Sequence, residues 1–222
     1  MISDGEYLYG STYGSPGLVV SWDGEKWSQL GEGFFEDLLI DSRTITYPGY
    51  ATYLAVSNGR LAASGYFNRI GSQPAASVAL WDGTAWAALD GFPPPVNAYL
   101  PAFAGDDLYI ITNDGQTLTS TLRRWRSGWT TLATFSEEQG LRCIAGSDQY
   151  LYVSGRFDEI GGVPARNIAR FDGTNWFALG SGLDAPAFSM AISGNRVICA
   201  GDFTRAGGKS SYHLAVWHDL TF

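Results

Sequence analysis

A short aromatic motif that recurs along the chain is the sequence feature that most restricts the fold. Each copy opens and closes with an aromatic residue, and the clearest copies carry Asp-Gly directly after the first. Successive copies start 59, 44, 46 and 46 residues apart, and all eight tryptophans of the 222-residue chain lie within them. A repeat near 45 residues indicates an array of similar units. The copies open at Trp22, Trp81, Trp125, Phe171 and Trp217.

A second motif, Gly-x-Phe, precedes three of these copies at a constant distance. Each of its glycines lies 16 residues before the aromatic residue that opens the next copy, and another glycine follows four residues after each phenylalanine. Three copies with identical offsets are hard to obtain by chance. They lie at Gly65–Phe67, Gly155–Phe157 and Gly201–Phe203.

Each repeat is predicted to form four short strands and no helix, because no apolar pattern of period 3.6 runs for ten residues. In the fourth repeat a loop at Asp158–Ala165 separates the second and third strands. Asp172-Gly173 predicts a hairpin, since Asp-Gly suits turn positions with φ > 0. The predicted strands are Leu141–Ala145, Leu151–Gly155, Asn167–Phe171 and Trp176–Leu179.

Four antiparallel strands per repeat are typical of a β-propeller blade. We therefore predict an all-β fold, a single five-bladed β-propeller over residues 1–222 with four antiparallel strands per blade. The tryptophans are interpreted as apolar plates between adjacent blades. Whether the ring closes on itself or the chain is part of a longer protein is left open. Predicted blades span residues 1–31, 51–90, 96–134, 140–180 and 186–222, with an inserted loop at 32–50.

Blade topology places the long connections, from second to third strand and from one blade to the next, on one face. Long connections on a rigid scaffold are the usual place for function. The turns on the other face are short. The long connections are predicted at residues 68–76, 90–97, 136–140, 158–166 and 204–212.

Candidate ligand-binding residues come from this long-connection face. Tyrosines of the insertion, with Tyr53 beside them, could stack on a sugar ring, or could belong to a small apolar cluster that folds the insertion down. The charged residues could bind a ligand or form a solvated, mutually paired rim. The candidates are Tyr47, Tyr50, Arg69, Asp158, Glu159, Arg166 and Arg205.

The chain offers little catalytic or metal-binding chemistry. It has only two histidines, which excludes a metal site of several histidines and disfavours a Ser/His/Asp triad. Cys143 and Cys199 lie in apolar segments and are predicted to be small buried residues, with a disulfide between neighbouring blades as the alternative. We expect no cofactor and no metal.

Paired carboxylates are the remaining enzymatic candidates, since a glycosidase needs two of them across a cleft. The predicted inner strands carry neither Asp nor Glu, which argues against an enzyme. The carboxylates on the long-connection face are Glu36, Asp37, Asp41, Glu137, Glu138, Asp158, Glu159 and Asp184.

Charge and hydropathy narrow the range of expected binding partners. The chain has 14 Lys and Arg against 22 Asp and Glu, a net charge of −8, which argues against a nucleic-acid backbone as partner. It has no apolar run of 18 residues, so no membrane insertion is expected.

The fourth repeat, from Leu151 to Leu183, resembles the Trp-Asp-Gly propeller repeats of bacterial surface proteins, which are distantly related to kelch and galactose-oxidase-like propellers. It departs from the kelch pattern because no Tyr lies between the glycine pair and Trp176. The copper ligands of galactose oxidase have no counterpart, so that activity is not carried over. The resemblance implies an extracellular or cell-surface binding or adhesion module.

These observations favour a non-catalytic binding or scaffold module that uses the long-connection face for a protein partner. The alternative is a lectin with a glycan partner. A glycosidase is a third hypothesis. Lectin sites are expected to repeat from blade to blade, whereas these connections differ strongly, and this places the scaffold first.

Overall fold

Strands account for all the regular structure in the computed structural model, which describes residues 1–89, 91, 97–136 and 138–218. The all-β prediction is confirmed. No helix in this part of the chain is long and apolar enough to span a membrane. Most of the predicted connection at 90–97, the predicted candidate Glu137 and the last four residues lie outside the described residues.

The chain divides into two compact units. The first contains Met1–Pro101, Thr112–Asp114 and Ser127–Trp129; the second contains Ala102–Ile111, Gly115–Arg126 and the chain from Thr130 onward. The single propeller domain therefore stays a prediction.

The first repeat forms a four-stranded antiparallel sheet in chain order. Its last two strands pair Trp22 with Trp27, and their indole rings lie 5.5 Å apart. The strands are β1 (Ile2–Ser3), β2 (Leu8–Thr12), β3 (Leu18–Trp22) and β4 (Trp27–Gln29).

The insertion is a β-hairpin, and the prediction of an inserted loop at 32–50 is wrong. Ile40 pairs with Arg43 across a two-residue turn in which Asp41 and Ser42 have φ of 47° and 63°, as a tight hairpin turn requires. The hairpin belongs to a sheet of its own, in the order β10-β9-β5-β6. Its strands are β5 (Phe34–Ile40), β6 (Arg43–Pro48), β9 (Arg69–Ile70) and β10 (Gln73–Pro74).

The second repeat forms a four-stranded sheet in the order β12-β11-β8-β7. Its connection from second to third strand carries β9 and β10, so this predicted loop is a short hairpin. The strands are β7 (Tyr50–Ser57), β8 (Arg60–Tyr66), β11 (Val78–Trp81) and β12 (Trp86–Ala88).

The third and fourth repeats each form a four-stranded sheet, and the connection predicted as a loop at Asp158–Ala165 again holds a two-stranded hairpin. The third repeat has β13 (Asn97–Ala104), β14 (Asp107–Asp114), β15 (Thr119–Trp125) and β16 (Trp129–Ser136). The fourth has β17 (Leu141–Gly146), β18 (Leu151–Gly155), β19 (Glu159–Ile160), β20 (Val163–Pro164), β21 (Ile168–Phe171) and β22 (Trp176–Ala178).

Within the described residues the fifth repeat forms a three-stranded sheet, and its long connection holds a separate two-stranded hairpin. Its predicted last strand lies in residues 219–222, outside the described part. The strands are β23 (Ala187–Ser193), β24 (Arg196–Gly201), β25 (Arg205–Ala206), β26 (Lys209–Ser210) and β27 (Leu214–His218).

The predicted count of five blades is not confirmed. The described residues form five four-stranded sheets, one three-stranded sheet and two separate two-stranded hairpins. The difference arises because the insertion builds a sheet of its own with the hairpin from the second repeat's long connection. Repeated antiparallel sheets are shown; the number of blades and ring closure stay predictions.

The Asp-Gly motifs are architectural, as predicted. In the clearest copies the Asp carboxylate accepts hydrogen bonds from two backbone amides across the turn, at 2.6–2.9 Å, and these bonds lower the pKa of each Asp. The glycine after it has φ near 100°, which suits glycine. Trp86 meets the prediction of packing between repeats, since its indole N–H donates to the Leu30 carbonyl at 2.8 Å. Trp27 does not fit this prediction, because its side chain is half exposed.

Candidate functional site

The glycine of each Gly-x-Phe motif is fixed by close backbone contact. A Cβ on Gly65 would lie 2.0 Å from the Tyr50 carbonyl oxygen, and one on Gly155 would lie 2.8 Å from the Gly140 carbonyl oxygen. Gly201 is equally confined, at 2.3 Å from the Pro186 carbonyl oxygen. Glycine is therefore required at these three positions, where the second strand of the second, fourth and fifth repeats ends beside the first.

The phenylalanine of the motif is fixed by burial, and only the middle residue is free to vary. The three phenylalanines are at most 4% exposed. The middle residues are all exposed, at the end of the sheet where the long connection begins. We call this the long-connection end. The three middle residues are Tyr66, Arg156 and Asp202.

A β-bulge places a second variable side chain near each of these. In β7, β17 and β23 the pairing register shifts by one residue close to the start of the strand. A bulge re-aims the extra side chain. The residues at the shift are Thr52, Arg142 and Phe188.

In the first unit the long-connection end carries a contiguous group of tyrosines. Tyr50 and Tyr66 are directly paired across β7 and β8, so their side chains share one face of the sheet. The Tyr13 ring lies 5.1 Å from that of Tyr50, and the Tyr66 and Tyr99 hydroxyl oxygens lie 3.4 Å apart. The Tyr53 ring lies 6.0 Å from that of Tyr99, edge to face.

We call Tyr13, Tyr50, Tyr66, Tyr99 and Tyr53 the tyrosine row. Tyr13 and Tyr66 are 74% and 48% exposed, while the other three are half-buried. Burial, with the contact to Tyr66, raises the pKa of Tyr99 to about 12, so its hydroxyl stays protonated. The row thus presents aromatic faces and phenolic hydroxyls to solvent, a surface suited to ligands with both apolar faces and hydroxyl groups.

In the second unit the long-connection end carries a polar cleft of about 670 Å³. Three arginines line it, with Phe157 buried beneath them and stacked on Phe135 at 5.5 Å. We call this the arginine cleft. Its lining residues are Glu138, Gln139, Arg142, Arg156, Phe157, Asp158, Arg166, Asn167, Asp184, Ala185 and Pro186.

Asp184 lies at the edge of the arginine cleft, and its carboxylate forms hydrogen bonds that stabilise the fold. Its carboxylate accepts hydrogen bonds from the backbone amides of Thr204 and Arg205, both at 2.8 Å, and from the Thr204 hydroxyl at 2.7 Å. These bonds lower its pKa to about 2. A general acid needs the opposite shift, so Asp184 is poorly suited to that role.

The predicted site residues do not form one site. Tyr50 lies in the tyrosine row, and Asp158 and Arg166 line the arginine cleft. Arg69 is held by the fold: it forms an ion pair with Asp37, with Nε 2.5 Å from Oδ2, and its guanidinium lies 4.3 Å from the centroid of the Phe35 ring.

The remaining candidates lie on hairpins. Tyr47 is exposed on β6, opposite Glu36, and makes no ring contact with the described tyrosines. Glu159 is exposed on β19, outside the cleft lining. Arg205 donates a guanidinium hydrogen bond to the Gly208 carbonyl at 2.9 Å within its own hairpin.

Sequence reasoning missed Tyr13, Tyr66, Tyr99, Arg142 and Arg156. For Tyr66 and Arg156 a signal was present, because each is the variable position of an otherwise fixed motif. For Arg142 the sequence signal was weaker, because Arg142 is exposed by a β-bulge and the position of a bulge depends on strand register. Tyr13 and Tyr99 are joined to the row by packing between sheets, which the chain order does not reveal.

The cysteines behave as predicted. Cys143 and Cys199 are free and buried, and burial raises their pKa values to about 12 and about 11. Within the described residues no group of three or more His, Cys, Asp or Glu side chains is placed to hold a metal ion.

Comparison with known proteins finds no matching family model and no matching curated protein. Among solved structures, a mutant of Aleuria aurantia lectin in complex with α-methyl-L-fucoside is 16% identical, with a TM-score of 0.43, over 95% of this chain and 72% of that one. The fucose-specific lectin from Aleuria aurantia, in a mercury-derivative form, is 16% identical, with a TM-score of 0.41, over 91% and 70% of the two chains.

Both of these solved structures are described as lectins, and neither is described as an interaction scaffold. The protein-interaction scaffold ranked first above is therefore withdrawn. The Trp-Asp-Gly and kelch-like resemblance stays a prediction, since no family model matches.

Proposed function

We propose that this protein is a carbohydrate-binding module and that the tyrosine row is its sugar-binding surface. The observation that carries the proposal is the series of contacts that links the five tyrosines at one end of the sheets of the first unit. Two are ring contacts, one joins two hydroxyls, and one is the strand pairing of Tyr50 with Tyr66. A sugar ring has a face of C–H groups and an edge of hydroxyls. An aromatic ring with a phenolic hydroxyl complements both.

Exposure supports this assignment. Tyr13 and Tyr66 are both exposed members of the row, and contiguous exposed apolar surface usually marks a binding site. The neutral hydroxyl of Tyr99 adds a donor and acceptor whose protonation does not change across physiological pH.

We also propose that the protein is not a glycosidase, because several of the candidate carboxylates are engaged in structural contacts. Among the carboxylates considered for a glycosidase, Asp37 pairs with Arg69 and Asp184 holds backbone amides. The pKa of Glu36 is raised by burial, but Glu36 lies on the inserted hairpin beside Asp37. An extracellular or cell-surface location stays a prediction.

A glycan array with the wild-type chain and two tyrosine variants tests the proposal. We expect the wild type to bind one class of neutral glycan and Tyr66→Ala to lose that signal. Tyr212→Ala is the matched control, because Tyr212 is 77% exposed but lies outside the row. Absence of wild-type binding to every glycan, or equal binding by Tyr66→Ala, would overturn the assignment.

A further inference from the structure

The arginine cleft holds three cationic side chains that have no partner among the described residues. The guanidinium groups of Arg142, Arg156 and Arg166 form no hydrogen bond or ion pair with any described residue. Arg126, in the same unit, shows the alternative: its guanidinium binds both carboxylate oxygens of Asp107, at 2.7 and 2.8 Å. Arg43 and Arg196 also form no side-chain contact with a described residue, but neither lines a cleft with other arginines. Three like charges around one cleft repel one another unless an anion lies between them.

The backbone that carries these arginines is held in place. Arg142 lies at the bulge of β17, and the Arg156 amide donates to the Gly140 carbonyl at 3.2 Å. The Arg166 carbonyl accepts from the Leu183 amide at 3.0 Å. Below them Phe157 is buried, and the Asn167 side chain is fixed by its hydrogen bond to the Leu183 carbonyl at 2.9 Å. The backbone positions from which the three arginine side chains project are therefore fixed, which limits the volume that their guanidinium groups can occupy.

The carboxylates that line the arginine cleft indicate which kind of anion would bind there. Asp184 is committed to backbone amides, which leaves Glu138 and Asp158 as the uncommitted carboxylates among the described lining residues. Neither forms an ion pair with the three arginines. Carboxylate oxygens only accept hydrogen bonds, so they suit the hydroxyls of a ligand and repel a bare anion. Guanidiniums suit a carboxylate, which they bind with paired N–H donors.

We propose that the arginine cleft binds a saccharide that carries a carboxylate, with the arginines on the acid group and Glu138 and Asp158 on neighbouring hydroxyls. The volume of about 670 Å³ lies in the range of roughly 300–1,000 Å³ typical of small-molecule sites. This inference rests on the proposed function in taking the ligand to be a saccharide. It involves residues of the second unit only, so the two sites can fail separately.

The test is calorimetric titration of the whole chain with trigalacturonate and with its methyl-ester form, which has the same shape and no charge. We expect the acid form to bind and the ester to bind at least about tenfold more weakly. Arg156→Gln and Arg166→Gln should each weaken acid binding about tenfold, and raising salt from about 0.05 M to about 0.5 M should weaken it further.

Arg196→Gln is the matched control, since Arg196 is exposed on the same unit but lies at a short turn outside the cleft. Equal binding of acid and ester, or an equal loss in Arg196→Gln, overturns the proposal. Citrate that binds as tightly as trigalacturonate, with the same dependence on Arg156, overturns the saccharide part. If Tyr66→Ala leaves neutral glycan binding intact while Arg156→Gln abolishes acid binding, the proposed function fails at the tyrosine row and this site stands.

Discussion

The hydroxyl oxygens of Tyr66 and Tyr99 lie 3.4 Å apart although the residues are 33 positions apart in the chain. Tyr66 ends β8 and Tyr99 lies near the start of β13, so strands of two repeats bring them together. The contact joins the exposed part of the tyrosine row to its half-buried part. It also places one phenol in an environment that favours the neutral form.

The titration of Tyr99 should report this environment. We expect its phenol to ionise near pH 12, because burial and the contact with Tyr66 disfavour the anion. An unfolded chain releases this proton near pH 10. The folded state therefore holds the extra proton between these values, and the free energy of unfolding should fall as pH rises from about 10 to about 12.

Ultraviolet difference titration of the wild type against Tyr99→Phe measures this directly. The difference spectrum should show a phenolate transition near pH 12. A difference transition near pH 10 would contradict the account, since it would mean that Tyr99 is freely solvated.

Gly65→Ala should destabilise the first unit. The added Cβ would lie 2.0 Å from the Tyr50 carbonyl oxygen and 2.6 Å from the Thr52 amide nitrogen, so the bulge in β7 would have to move. We expect a loss of about 2 kcal/mol or more in urea unfolding. Gly115→Ala is the control because nothing lies within 4 Å of its Cβ position. Equal stability of the two variants would show that the glycine is not required.

The Gly-x-Phe motif shows how much of the candidate site can be predicted from the sequence. The fixed Gly and Phe predict where strands end, and the variable residue between them marks the exposed positions. The partners of Tyr66 depend on strand register and on which sheets are neighbours, and neither is encoded in local patterns. The insertion illustrates the same limit: its turn residues Asp41 and Ser42 lack the Asn-Gly or Asp-Gly signature of a tight hairpin, so it reads as a loop.

The inserted hairpin should loosen when Asp37 is replaced. Asp37 pairs with Arg69, and this contact lowers the pKa of the carboxyl. We expect Asp37→Ala to speed amide hydrogen exchange in β5 and β6 while β17 and β18 are unchanged. The exchange should also speed in the wild type as pH falls through the lowered pKa of Asp37, after correction for intrinsic rates.

Thr44→Ala is the control for that experiment, because Thr44 is exposed on the same hairpin and is not bonded to Asp37. Unchanged exchange in Asp37→Ala would show that the two hydrogen bonds between the Asn68 side chain and the Asp37 backbone, at 2.7 and 2.8 Å, hold the hairpin alone.

The thiols should be unreactive in the folded protein. Cys143 and Cys199 are buried, and burial raises both pKa values well above neutrality. A thiol reagent at about pH 8 should label neither in the native chain and both in urea. Rapid labelling of the native chain would contradict their burial, and a mass that rises by two hydrogens on reduction would reveal a disulfide.

The most direct test of the central claim is a nuclear magnetic resonance titration of ¹³C-labelled tyrosine rings with the neutral glycan that binds best on the array. The chain has 12 tyrosines, of which five form the row. The ring signals of Tyr13, Tyr50 and Tyr66 should shift with the glycan, while the signal of Tyr212 should not move. Shifts confined to tyrosines outside the row, or none at saturation, would contradict it.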